Sequence, residues 1–156
     1  MSAGILLYRV RDGQIEVFLG HMGGPFWANK DERGWSIPKG EYEPDEEPFA
    51  AARREFEEEI GSAPPEGPAL GLGEVRQSSG KRVVAWAVEG DLDPSTVSSN
   101  TFVIEWPPRS GRRQEFPEVD RAGWFTLEVA KEKLLAAQAA LLEELEQVLE
   151  EREPRR

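Results

Sequence analysis

The chain has 156 residues, a length suited to one domain with one core, and 30 Asp and Glu against 19 Lys and Arg give it a net charge of −11. So acidic a surface repels polyanions, which argues against non-specific nucleic-acid binding. With no cysteine there is no disulfide framework, thiol nucleophile or cysteine-ligated zinc; with no signal-peptide pattern and no apolar run of spanning length, a cytoplasmic chain without a membrane partner is expected.

Two short apolar runs open the chain, residues 3–10 and 15–20. Asp12-Gly13 between them predicts a hairpin. Residues 21–34, with Gly23, Gly24, Pro25 and Gly34, read as a loop. WSIPKGEYE predicts a short strand leading into a helix over roughly 48–60, with Pro48 as its first residue, Glu47 or Asp45 near its cap and Gly61 at its end. Residues 62–68 form a linker. Strands are predicted over 69–77 and 81–90 around the turn at Ser78-Ser79-Gly80, and again over 101–106. Residues 107–119 read as a long irregular loop, and 122–125 as a last short strand. Thr126 opens a helical tract to about Glu151, with a break expected near 134–138. No second domain or internal repeat is evident, so residues 1–156 read as one domain with a mixed sheet packed between helices.

The segment GEYEPDEEPFAAARREFEEEIGS, residues 40–62, carries the chemistry. Glu55, Glu58 and Glu59 stand at i, i+3 and i+4 and share one helix face, while Phe49, Ala52, Phe56 and Ile60 form an apolar stripe on another. Like charges so spaced each cost a helix about 0.2–0.5 kcal/mol, which a hard, oxygen-seeking cation such as Mg²⁺ would offset. A solvated acidic face is the ordinary explanation of EFEEE alone. The full spacing G-x5-E-x7-R-E-U-x-E-E-x-G, with U a bulky apolar residue, is matched by Gly40, Glu46, Arg54, Glu55, Glu58, Glu59 and Gly61. From ordinary residue frequencies that match would arise in only ~1 in 10⁴ chains.

This is the signature of the Nudix hydrolases, and the chain strongly resembles that family. Phe56 and Ser62 depart mildly, at packing positions. The resemblance implies a Nudix-type α/β/α sandwich, its mixed sheet between the motif helix and a C-terminal helix. It implies hydrolysis of a phosphoanhydride bond in a nucleoside diphosphate-linked small molecule, with one to three Mg²⁺ or Mn²⁺ ions held by Glu55, Glu58, Glu59 and the Lys39 carbonyl. Arg54 would orient a motif carboxylate, and Glu46 would orient or sit in the outer shell. The general base is either a helix Glu or a downstream loop carboxylate; Glu118 is the leading loop candidate, also as a metal ligand, and Glu115 the second. Asp120 reads as closing the turn into the last strand.

Lys39, Lys81, Arg82 and the loop arginines Arg109, Arg112 and Arg113 are candidates to meet substrate phosphates. Pro38-Lys39-Gly40 is similar to the form seen in dinucleoside polyphosphate and diphosphoinositol polyphosphate hydrolases, and Lys39 would suit a longer phosphate chain. His21 reads as structural. Trp35, Trp86, Trp106, Trp124 and Phe125 read as core, Phe26 and Trp27 as candidates to stack on a base, and Tyr42 as a residue able to face the site. A homodimer would fit the family. The alternative is a Nudix-fold sensor or interaction module without catalysis, a reading the intact motif carboxylates disfavour.

Overall fold

The computed structural model describes residues 1–152; residues 153–156, the end of the expected domain, lie outside them. The strands are β1 (Ser2–Arg11), β2 (Gln14–Met22), β3 (Trp35–Ser36), β4 (Lys39–Glu41), β5 (Ala69–Arg76), β6 (Arg82–Glu89), β7 (Thr101–Glu105), β8 (Arg113–Pro117) and β9 (Val119–Thr126). The helices are α1 (Pro48–Ile60), α2 (Leu127–Lys133) and α3 (Ala140–Arg152). Seven strands form a mixed sheet of order β3-β2-β1-β6-β5, with β4 on β1 and β9 on β2. The β1–β6 pair is parallel, and β1 pairs antiparallel with β2 and β4. Strands β7 and β8 make a separate ribbon.

The unbroken apolar run in β1 has a direct cause: both faces of the sheet are covered. Ala3, Ile5 and Leu7 face Ala51, Ala52, Phe56 and Ile60 of α1. Leu6 and Tyr8 point the other way, into a core with Leu134, Leu141, Leu142 and Leu145 from the C-terminal tract. The period-2 alternation of a strand thus splits one hydrophobic run between two cores.

Helix α1 starts and stops at the expected residues. The Glu47 carboxylate caps it by accepting from the Ala50 amide at 2.7 Å, and Gly61, at φ 92°, closes it with a 2.8 Å bond from its amide to the Glu57 carbonyl. The C-terminal tract breaks where expected, and the reason is tertiary. Leu135 donates its amide to the Trp35 carbonyl at 2.9 Å. Fully buried Gln138 accepts from the Ile37 amide at 3.0 Å and donates to Ser36 Oγ at 3.0 Å. A continuous helix could not offer both groups to the strand edge.

Several expectations change. WSIPKGEYE is two strands, β3 and β4, because Ile37-Pro38 interrupts the ladder. The expected loop 107–119 contains β8, which pairs with β7 from Thr101↔Pro117 to Glu105↔Arg113 and completes a hairpin whose tip carries Arg109 and Arg112. The last strand begins at Val119, so Asp120 lies inside it. Trp35 is buried, and Trp86, Trp124 and Phe125 pack against the cores. Trp106 instead meets exposed Phe26 edge-on at 5.2 Å, away from both cores. No described helix is long and apolar enough to cross a membrane.

Candidate active site

The motif helix lies against β1 on its apolar stripe, which turns its acidic face toward β4 and the 98–118 region. A cavity of ≈ 600 Å³ opens there. Its lining includes Lys39 and Gly40 from β4, Glu55, Glu58 and Glu59 from α1, and Glu118 from the β8–β9 junction. Four carboxylates expected from sequence therefore share one cavity.

Gly40 allows this closeness. A Cβ at that position would run into the Glu55 carboxylate, so any side chain would displace it. The Lys39 amide points at Glu59 Oε1, 3.3 Å away. Arg54 forks onto Glu46 through Nε at 2.9 Å and Nη2 at 3.0 Å, while Nη1 donates to Glu55 at 2.8 Å and Glu58 at 3.3 Å. One guanidinium thus holds three motif carboxylates. Glu46 lies outside the cavity, bound to its back through Arg54.

Segment 98–100 brings Glu118 to the helix. Ser98 and Asn100 donate their amides to the carbonyls of Ile60 and Glu58, satisfying the free end of α1. The Asn100 carbonyl accepts from the Glu118 amide at 2.9 Å, and the Glu118 carbonyl accepts from the Gly23 amide at 2.9 Å. Sequence reasoning did not pick out Asn100, Gln77, Ser79, Glu41 or Ser2, all of which line the cavity. They sit at turns and strand ends, where no periodicity marks them.

The electrostatics are uneven. Burial pushes the Glu59 carboxyl up to about 8, with Lys39 opposing the rise and Glu118 and Glu55 adding to it. Glu55 is raised as well, chiefly by burial and then by the Glu58 charge, against the pull of Arg54. Glu46 is lowered by its hydrogen bonds from Arg54, and Arg54 is raised by the same partner. Among the described residues, no three His, Cys, Asp or Glu side chains already stand in a metal-holding cluster. Arg54 engages two of the helix carboxylates, and the third faces the Lys39 amide. The donor set nevertheless fits a hard divalent cation: all ligating atoms are oxygen, and a desolvated carboxyl such as Glu59 ionises readily only beside added positive charge.

Of the expected phosphate contacts, Lys39 and Lys81 line the cavity, with Lys81 Nζ 3.2 Å from Glu41. Arg82 pairs with Glu74 at 3.3 Å on the β5–β6 ladder, outside the cavity. Arg112 is at the exposed β7–β8 tip, also outside it, as are Arg109 and Arg113. Glu115 lies within β8 opposite Val103 and does not reach the cavity. Tyr42 packs against the α1 core. His21 is fully buried between Asp120 Oδ1 at 2.8 Å and the Lys30 carbonyl at 2.6 Å, so Asp120 holds the histidine rather than closing a turn.

A mixed sheet between helices, with a motif helix presenting carboxylates beside its lead-in strand, is the Nudix architecture. The family model described as NUDIX domain matches residues 1–145, and the chain belongs to that family. No curated protein matches it significantly in sequence. Among solved structures it is similar to a C. elegans Ap4A hydrolase in a binary complex, at 23% identity and TM-score 0.67, covering 96% of this chain and 98% of that one. It is also similar to the NUDIX domain of Shewanella oneidensis NrtR complexed with ADP ribose, at 19% identity and TM-score 0.61, covering 95% and 86%. A MutT protein from Methanosarcina mazei Go1 aligns at 21% identity and TM-score 0.58, covering 95% and 93%. NrtR has also been solved with a 27mer DNA, and there this chain spans 63% of that chain's length.

Proposed function

We propose that the chain is a divalent-cation-dependent hydrolase of a phosphoanhydride bond in a nucleoside diphosphate-linked small molecule, such as a nucleoside triphosphate or dinucleoside polyphosphate. One observation carries the reading: Glu55, Glu58, Glu59 and Glu118 line a single cavity that also holds Lys39 and Lys81. A binding module would have no need to gather four carboxylates in one cavity and to hold the Glu59 and Glu55 carboxyls raised by burial there, so the retained set favours catalysis over a sensor role.

Glu55, Glu58, Glu59, Glu118 and the Lys39 carbonyl would hold Mg²⁺ or Mn²⁺. When bound, such ions neutralise phosphoryl oxygens and acidify water. Arg54 acts as a positioning residue: its fork orients Glu46 and restrains Glu55 and Glu58 on the helix face. Lys39 and Lys81 supply cationic contacts to phosphates, and Lys39 favours chains of three or more. Proton removal from the attacking water falls to a helix carboxylate or to Glu118. Any base must reach that water within one hydrogen bond or one bridging water.

The deciding experiment is a panel of nucleoside triphosphates, dinucleoside polyphosphates, nucleotide sugars and diphosphoinositols, assayed with Mg²⁺ and with product analysis. Turnover should require the cation and fall by orders of magnitude in Glu58→Gln and Glu59→Gln proteins that remain folded. Wild-type rates in both variants would overturn the assignment. Lys39→Gly should penalise dinucleoside polyphosphates more than nucleotide sugars.

A further inference from the structure

A second cavity, of ≈ 330 Å³, adjoins the carboxylate cavity and shares Lys39, Gln77 and Ser79 with it. Its other walls differ in kind. Met22 and Trp27 come from the end of β2 and the loop after it, and Leu135, Ala136 and Ala137 from the turn between α2 and α3. The volume is at the low end of the ~300–1,000 Å³ range of ligand pockets.

Trp27 needs explaining. It belongs to neither core, and the Lys30 ammonium lies 5.2 Å from its ring. Among the described residues, neither the Gln77 carboxamide nor the Ser78 hydroxyl has a hydrogen-bond partner. The cavity thus pairs apolar walls and an indole with a few uncommitted polar groups. A polyhydroxylated or multiply charged moiety would lose water against Met22 and Leu135 without replacement. A flat heterocycle would keep its faces on apolar surface and offer its edge to Gln77 and Ser78.

We infer that this annex seats the nucleobase of the substrate, with Trp27 as its stacking platform, and that it selects nucleotides over diphosphoinositols. The inference rests on the phosphates occupying the adjoining carboxylate cavity, as proposed above. Lys39, standing in both cavities, marks the junction between base and phosphate chain.

The test compares AMP with ribose 5-phosphate, which differ only in the base and contain no phosphoanhydride to cleave. Binding is followed by NMR titration of the whole chain. The wild type should bind AMP more tightly. Trp27→Ala should weaken AMP by roughly 5- to 150-fold, the range of base–aromatic stacking, and leave ribose 5-phosphate unchanged. Trp27→Phe should retain most of the AMP affinity, and Ala137→Phe, which fills the cavity from the helical turn, should lose it. Equal wild-type affinities, an unchanged AMP affinity in folded Trp27→Ala and Ala137→Phe, or a parallel loss of both ligands would each overturn the base site. The titration involves no turnover, so failure of the hydrolase assay does not alter what it says about the base. Conversely, equal losses on dinucleoside polyphosphates and diphosphoinositols in Trp27→Ala would remove the base site while the hydrolase reading stands.

Discussion

Arg54 and Glu59 show how single residues set the state of the cavity. The Arg54 fork spans Glu46, Glu55 and Glu58, and all four side chains reach solvent. Exposed pairs contribute only about 0–1 kcal/mol to stability, so Arg54→Lys should scarcely move the melting temperature. Loss of the fork should still cost activity roughly 10–100-fold, as for other groups that orient metal ligands. Parallel steady-state assays and thermal melts of the variant check this; a large stability loss with normal turnover would make Arg54 a purely structural residue. Glu59 gives a pH signature. Its folded carboxyl is raised to about 8, above its value in the unfolded chain. Between the ordinary carboxylate range and about pH 8 the folded state binds a proton that the unfolded chain has released. The stability associated with Glu59 is therefore full at acid pH and is lost as pH rises through that window. Melts of chelated protein from pH 5 to 8 should fall more steeply for the wild type than for Glu59→Gln, and Mg²⁺ should recover most for the wild type at the alkaline end. Identical slopes in the two proteins would refute it.

At the scale of elements, the β8–β9 junction decides where Glu118 stands. Its backbone is pinned by Asn100 on one side and Gly23 on the other, and a Cβ on Gly23 would strike the Pro117 carbonyl. Gly23→Ala should therefore shift the Glu118 segment and lower turnover while leaving α1 and the main sheet intact, readable as chemical-shift changes confined to residues near 23, 100 and 118. Glu118→Gln distinguishes two roles for the same residue. Loss of a general base should lower kcat by roughly 10²–10⁴-fold with little change in KM, whereas loss of a ligand should be partly rescued by excess cation. Wild-type kcat at limiting Mg²⁺ would leave Glu118 without either role and return the base to α1.

For the whole molecule, the sheet has a core on each face, and β1 contributes alternate residues to both. Removing Phe56 from one core or Leu142 from the other should each cost about 2–5 kcal/mol. Because the two cores share β1, we expect one cooperative unfolding transition in calorimetry for the wild type and for both variants. Two separable transitions would contradict the single-domain reading.

The sequence by itself determined what depends on local spacing. The 3.6-residue repeat put Glu55, Glu58 and Glu59 on one face and Phe56 and Ile60 on another, Glu47, Pro48 and Gly61 bounded α1, and the spaced motif identified the family. Asp12-Gly13 likewise marked its hairpin, because turn chemistry acts over adjacent residues. Tertiary structure decided whatever depends on long-range approach. Ribbon β7–β8 was hidden because Pro, Gly and Arg in 107–113 mask a strand whose partner supplies the ladder. The split of β3 from β4, the helix break at Gln138 and the pairing of His21 with Asp120 each need a group many residues away. So does the cavity itself: Glu118 meets the motif helix only through Asn100 and Gly23, Arg82 and Arg112 are left outside by strand register and hairpin reach, and Trp27 lies beside Gln77 and Leu135 only because the sheet brings three distant loops to one edge. Periodicity encodes which side of an element a residue occupies, but which elements meet is set by burying two cores against one sheet.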